Sequence, residues 1–410
     1  MTALNQNYYS TSNVQRPTDI SALLTEYFIH EFHIDISKVY DIYSIPARQL
    51  LVPDRFDLMA KWVYIDAREK NSGIERAIEV YRDNINAFSC GTFTEPGQND
   101  KNSFEKYLNT FNSLIDDIKT NGFNENISLI PVGDDNIILD GSHRTAAAAY
   151  YDKNVTVIHF PGTRWQWDYK FFRQRLMSDT SMGFMASAYT QLRNNLYMAC
   201  LWPQAKLKFT DRTEEILSEA GEILYSQDVY MTFNGIKNFM VNIYSHDPWI
   251  GTEADNFAGA AVKARACFNK HYPVRTYLFQ AASQDFVVEC KRRIRDIYGI
   301  ENSSLHISDD QNETEMMCRI LYTPDMLHTL NFTQNYIYGR NYDVPNASLE
   351  RKLPLRFRPS RIIERLNYQK AHSRYDKEPL SELAYRFRWI INPARIFYHL
   401  LKKIKLIVFR

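Results

Sequence analysis

Cysteine is scarce in this chain. The 410 residues hold five, Cys90, Cys200, Cys267, Cys290 and Cys318, scattered, odd in number and without a Cys-x-x-Cys pair. That distribution argues against both a zinc site and a disulfide framework. An excess of charge is also missing: 49 Lys and Arg against 48 Asp and Glu leave a formal net charge of +1, so no global field points to nucleic acid, which is not expected as a partner. No apolar run approaches the length needed to span a bilayer. The first residues, Met1 to Pro17, are polar and lack an apolar signal core. A reducing cytoplasm is therefore the expected compartment.

What remains is the composition of a large globular protein. Hydrophobic residues make up 45% and charged residues 24%. The length exceeds one ordinary core, so two or three domains are expected. Aromatics reach 14%, with 27 Tyr and 24 Phe, which suits either ordinary cores or the stacking of a sugar or base. The reading along the chain gives a mixed α+β or α/β protein in five parts. These are a disordered arm (1–18), a first domain (19–165), a helical connector (166–205), a second α/β domain (206–345) and a basic tail (346–410).

The most informative stretch is Ile137-Ile138-Leu139-Asp140-Gly141-Ser142-His143-Arg144-Thr145, followed by four alanines. It predicts a short strand, a tight turn at Asp140-Gly141 and an alanine-rich helix with Ser142 as its N-cap. Gly141 lets a ligand come near the main chain. The first amides of a helix have no internal acceptor and lie at its positive end, a natural seat for a phosphate. Arg144 adds a fork of donors and His143 a titratable group. A turn whose His and Arg simply face solvent is the plainer alternative.

Leu-Asp-Gly-Ser-His-Arg-Thr-Ala-Ala-Ala resembles the signature of the ParB/sulfiredoxin fold, whose members carry a strand, Asp-Gly-x-His-Arg or a close variant, and an alanine-rich helix. The resemblance spans roughly residues 45 to 165. It implies binding of a nucleotide's phosphates at the turn by Gly141, Ser142, His143, Arg144 and Thr145. The fold includes CTP-binding partition proteins, ATP-using sulfiredoxins and free-serine kinases. The match is closest to the kinase branch, since Asp140, His143 and Arg144 are all present. Sulfiredoxins carry a cysteine where this chain has Ser142, so sulfinic-acid reduction is not expected.

The order of elements agrees with that resemblance. An amphipathic helix runs from Phe104 through Leu108, Phe111, Leu114, Ile115 and Ile118 to Asn121-Gly122. A strand over Ile127–Val132, a hairpin turn at Asp134-Asp135, a strand over 136–139, the motif and its helix, and a strand over Val155–Phe160 follow. In the serine-kinase members a glutamate before the amphipathic helix is thought to act as catalytic base, and Glu95 is similarly placed. Lys101 lies near enough to offer charge to a phosphate. Earlier in the chain, Arg55 and Lys61 on a helix over Pro53–Trp62 either reach the phosphate site or belong to a solvated face. Asp140 is the candidate Mg2+ ligand or orients His143; Mg2+ is expected because nucleotide phosphates travel with it.

In the second domain, Val229–Phe233 and Phe239–Tyr244 suggest strands across an Asn234-Gly235 hairpin turn. Asn256–Phe268 reads as a helix, Tyr277–Gln280 as a strand, and Ser283–Tyr298 as a helix ended by Gly299. Lys291 and Arg295 share a face of that last helix. With His306 and Asp309, on the strand and turn that follow, they form a candidate substrate site for a phosphorylated or acidic group. Glu313 opens the next helix, with Asn312 as its cap. The Lys-x-x-x-Arg, His-Ile-Ser-Asp and Glu arrangement also resembles a domain associated with bacterial surface-polysaccharide gene clusters.

From Tyr385 to Arg410 no residue is acidic, while basic side chains alternate with Phe, Trp, Ile and Leu. Such a segment predicts a basic amphipathic helix suited to an anionic membrane surface at the inner face, or to docking on protein. The expected activity is that of an ATP-dependent kinase, with ATP or another nucleotide and Mg2+, acting on a hydroxyl of a small molecule or glycan precursor. Two other readings stay open: a nucleotide-binding switch without phosphotransfer, and a glycan-modifying transferase with its chemistry in residues 206–345.

Overall fold

The computed structural model describes residues 20–342, apart from residue 96 and residues 98–100. The N-terminal arm expected over 1–18 and the basic tail over 346–410 lie outside the described residues. Within them the helices are α1 (Glu26–Glu31), α2 (Asp57–Glu69), α3 (Ile74–Phe88), α4 (Phe104–Asn121), α5 (Ser142–Tyr150), α6 (Tyr169–Gln174) and α7 (Asp179–Ala188). They continue with α8 (Thr210–Ala220), α9 (Phe233–Ile243), α10 (Ala258–Cys267), α11 (Gln284–Tyr298), α12 (Gln311–Tyr322) and α13 (Pro324–Phe332). The strands are β1 (Asp41–Pro46), β2 (Ile130–Val132), β3 (Asn154–His159), β4 (Leu196–Leu201), β5 (Gly221–Val229), β6 (Val274–Ala281) and β7 (Leu305–Ile307). The protein is thus mixed α+β, in two compact units: residues 20–50 with 81–177, and residues 51–80 with 178–342.

The first unit is built on a three-stranded sheet in the order β1-β3-β2. β1 runs antiparallel to β3, from Asp41 opposite His159 to Pro46 opposite Asn154. β2 runs parallel to β3, pairing Ile130 with Val157 and Val132 with His159. Parallel neighbours need a crossover, and α5 supplies it. Its four alanines, Ala146 to Ala149, are completely buried, so the helix lies close on what it covers. Residues 136–139 do not form the expected strand. A single bridge joins Ile138 to Val132, and Asp134–Asn136 is a 3-10 turn with Asp135 and Asn136 at positive φ. Two successive left-handed residues bend the chain too sharply for a ladder. α4 follows its apolar stripe: Ser103 caps it by accepting from Lys106 N, and Gly122, at φ 77°, ends it.

The second unit carries a fully antiparallel four-stranded sheet, β5-β6-β4-β7. One core gathers Ala199, Leu201, Phe279, Leu305 and Ile307 from the sheet with Leu217 of α8 and Ile294 of α11. β4 falls where a helical connector was expected. Leu196, Tyr197, Met198, Ala199, Cys200 and Leu201 are all buried, and a strand covered on both faces has no alternation to distinguish it from a buried helix.

The expected hairpin across Asn234-Gly235 is instead the first turn of α9. Thr232 accepts from Gly235 N at 2.9 Å and caps the helix. A Cβ at Gly235 would stand 2.1 Å from Asn331 Oδ1, so the glycine serves close approach to α13 rather than a turn. α12 is capped by Asp310, which accepts from Glu313 N, and Asn312 lies inside the helix.

Candidate functional sites

In the first unit the turn before α5 opens onto a cavity of about 310 Å³. Gly141 sits at φ 84°, ψ 27° as the residue preceding the helix, with no side-chain cap. Ser142 is therefore the first helical residue and not the cap. Asp140 Oδ1 accepts from Gly141 N at 2.7 Å and locks the turn. A Cβ at Gly141 would lie 2.9 Å from an Arg144 guanidinium nitrogen and 2.7 Å from the Ile130 side chain, so glycine is demanded by both conformation and space. The first helical hydrogen bond runs from Thr145 N to Gly141 O, leaving the Ser142 and Arg144 amides ahead of the internal ladder.

Asp140, Gly141, Ser142, His143 and Arg144 all line this cavity, and Glu95 and Lys101 join them from a loop more than 35 residues earlier. Lys101 Nζ lies 2.6 Å from Glu95 Oε2, with both side chains partly exposed. Arg144 donates to Leu129 O at 3.4 Å, and its guanidinium lies 3.9 Å from Asp140 Oδ2. Burial lowers the Arg144 pKa, while the charges of Asp140 and Glu95 act against that shift. His143 Nε2 is 2.8 Å from the Tyr81 hydroxyl, and its ring meets Phe111 edge-on at 4.8 Å. Tyr81 was not legible as a partner, because nothing in the spacing of α3 marks one tyrosine above its neighbours.

Three expected ligands of this site fall elsewhere. Thr145 is fully buried on the inner side of α5 and does not face the cavity. Arg55 and Lys61 belong to the second unit, where they are almost wholly buried around Asp57. Arg55 makes two bonds to the carboxylate, at 2.9 and 3.0 Å, and Lys61 a third at 3.1 Å. Burial alone would raise the Asp57 pKa, but the two cations outweigh it and hold the group far below the usual carboxylate range. This cluster is a closed structural charge network, neither the phosphate grip nor the solvated face that the sequence suggested.

The second unit brings Lys291, Arg295, His306 and Asp309 together, as expected, on a cavity of about 760 Å³. Lys291 Nζ lies 2.5 Å from Asp309 Oδ1. His306 is held at both ring nitrogens: Nδ1 is 3.2 Å from the Tyr244 hydroxyl and Nε2 is 2.9 Å from Glu313 Oε1. The other Glu313 oxygen accepts from Asp309 N at 2.6 Å. Tyr244, Trp249 and Lys263 also line the cavity, and sequence reasoning did not find them. The intervals His306, Asp309, Glu313 carried a local signal; Tyr244, just past the end of α9, and Lys263 of α10 carried none.

Among the described residues no group of three His, Cys, Asp or Glu side chains is placed to hold a metal, and no helix is long and apolar enough to cross a membrane. No family model, curated protein or solved structure matches the chain.

Proposed function

We propose that the first unit binds nucleotide phosphates at Gly141–Arg144 and transfers a phosphoryl group to a hydroxyl, making the protein an ATP-dependent kinase of the ParB/sulfiredoxin type. The observation that carries this reading is the convergence of Glu95 and Lys101 on the cavity formed by Asp140, Gly141, Ser142, His143 and Arg144. A base, two cations and a helix N-terminus on one small cavity are what phosphoryl transfer needs, since its catalysis is mostly positioning and charge stabilisation.

In this scheme the α5 amides and Arg144 hold phosphate oxygens. Lys101 exchanges its partly exposed pairing with Glu95 for a phosphate oxygen, which frees the carboxylate. Glu95 then takes the proton of the acceptor hydroxyl as that oxygen bonds to the γ-phosphorus and the bond to the β-bridging oxygen breaks, releasing the nucleoside diphosphate. Asp140 is the carboxylate available to a Mg2+ ion, which usually takes one or two carboxylates together with substrate phosphates. The ion would neutralise charge on those phosphates. His143, fixed by Tyr81, borders the transferring group. The acceptor is a sugar or glycan precursor, following the second unit's resemblance to surface-polysaccharide domains.

Nucleotide turnover with Mg2+, across pools of sugars, amino acids and lipid-linked glycans, tests this. ATP loss stimulated by one acceptor fraction should fall by about 10²–10⁴ in Glu95→Gln with nucleotide binding retained. Nucleotide binding without turnover in every pool would replace the kinase with a nucleotide switch.

A further inference from the structure

We infer that the second unit holds its own ligand site, for a phosphate or diphosphate ester of a sugar or nucleoside, with Lys263, Lys291 and Arg295 taking the anion and Trp249 and Tyr244 flanking the ring. The proposal does not depend on phosphotransfer in the first unit.

The argument begins with unspent positive charge. Lys291 and Arg295 stand one turn apart on α11, and Lys263 faces them from α10 across the same cavity. Among the described residues Lys263 donates only to a neutral acceptor, Asn302 O, at 2.8 Å. Arg295 reaches Leu305 O at 3.5 Å, while its Nε is closed off from solvent and finds no acceptor among the described residues. Lys291, 19% exposed, is paired with Asp309, 74% exposed, and a carboxylate that open to water can turn away and leave the ammonium to another anion. Asp247 and Asp309 are the carboxylates lining the cavity, so three cations face two anions. Burial and the neighbouring Arg295 charge lower the Lys263 pKa, a crowding that a bound anion would relieve. Guanidinium and ammonium donors converging in this way suit phosphate oxygens.

The rest of the cavity is shaped for more than an inorganic ion. Trp249 is 46% exposed, and its ring lies 5.2 Å from that of Tyr244. It is not a loose surface residue. A Cβ at Gly259 would sit 1.7 Å from Trp249 O, so the missing side chain lets the main chain of α10 clamp the tryptophan segment. Tyr244, His306 and Glu313 form a hydrogen-bonded chain that fixes the floor. An exposed, positioned aromatic beside carboxylates Asp247 and Asp309 offers a stacking face and hydroxyl acceptors, the combination a sugar or nucleoside ring uses.

Calorimetric titration of the full-length protein in an Arg144→Ala background, which weakens the first unit's anion grip, tests the assignment. The probes are inorganic phosphate, glucose 1-phosphate and UDP. At least one ester should bind about tenfold more tightly than inorganic phosphate. Lys263→Gln and Lys291→Ala should each weaken it by about tenfold, the loss of one charge-assisted contact. Trp249→Ala should weaken the ester and leave inorganic phosphate unchanged. Which ester wins separates a sugar phosphate from a nucleoside diphosphate. Trp249 is exposed and the two lysines are partly exposed, and matched thermal melts establish that the variants are folded. No binding of any probe at about 10 mM, or affinities unmoved by both lysine substitutions, would overturn the site. Equal weakening of ester and phosphate by Trp249→Ala would overturn the ring contact.

Discussion

Two clusters in this protein use the same residue types and do opposite things. Arg55, Asp57 and Lys61 are nearly closed to solvent, with both cations paired to the one carboxylate. Glu95, Lys101, Asp140 and Arg144 keep part of their surface open and meet around a cavity. In the sequence Arg55 and Lys61 read either as phosphate ligands or as a solvated face, and Lys101 and Arg144 read as phosphate ligands beside the carboxylates Glu95 and Asp140. Exposure decides between them. A pair removed from water cannot trade partners without stranding a buried charge, whereas a half-exposed pair can exchange one oxygen for another at little cost.

The sharpest way to break this contrast is to remove the centre of the closed cluster. Asp57→Ala removes the carboxylate that both buried cations bond and should cost about 3–5 kcal/mol in urea unfolding. A loss below about 1 kcal/mol would mean the cluster is open after all. Acid sharpens the same point. The folded Asp57 pKa lies below its unfolded value of about 3.9, so its stabilisation is complete above that value and fades as pH falls below it. Urea midpoints measured from pH 5 to pH 3 should drop more steeply in the wild type than in Asp57→Asn.

On the open side, Arg144→Ala should weaken nucleotide or pyrophosphate binding by about 10–100-fold, as expected for losing a charged hydrogen-bond donor. Its unfolding free energy in urea should change by less than about 1 kcal/mol, because its ion pairing is long and partly exposed. A reversal of the two effects would make Arg144 another structural charge. Gly141→Ala should cost about 1–2 kcal/mol through its left-handed backbone, with further loss of binding as Arg144 is pushed aside. The smallest effect is expected at Ser142. Because Gly141 and not Ser142 precedes α5, Ser142→Ala should change stability by less than about 0.5 kcal/mol, whereas a true cap would cost about 1. Thermal melts of the two variants side by side separate these cases.

The residues of the first site were legible because most of them are contiguous. Asp140 to Arg144 form one turn, and a turn's chemistry is written locally in a glycine with no alternative and the helix that follows it. Glu95 entered through resemblance and Lys101 through its nearness in the sequence, and packing brings them to the cavity. α4 was equally legible, since its stripe and its glycine stop are both local signals. Other features needed the fold. β4 reads as apolar in every position, and only its antiparallel neighbours β6 and β7 make it a strand. Asn234-Gly235 carries the local signature of a hairpin, but Thr232 capping and the close approach of Asn331 turn it into a helix start.

The sequence by itself determined the turn at Gly141, the polarity of its helix and the shared face of Lys291 and Arg295, because each depends on backbone geometry over a few residues. Only the tertiary structure decided which cations are buried and which face a cavity, and it brought Lys263, Tyr244 and Trp249 to the second site. Burial and convergence depend on residues far apart in the chain, and no local spacing encodes them.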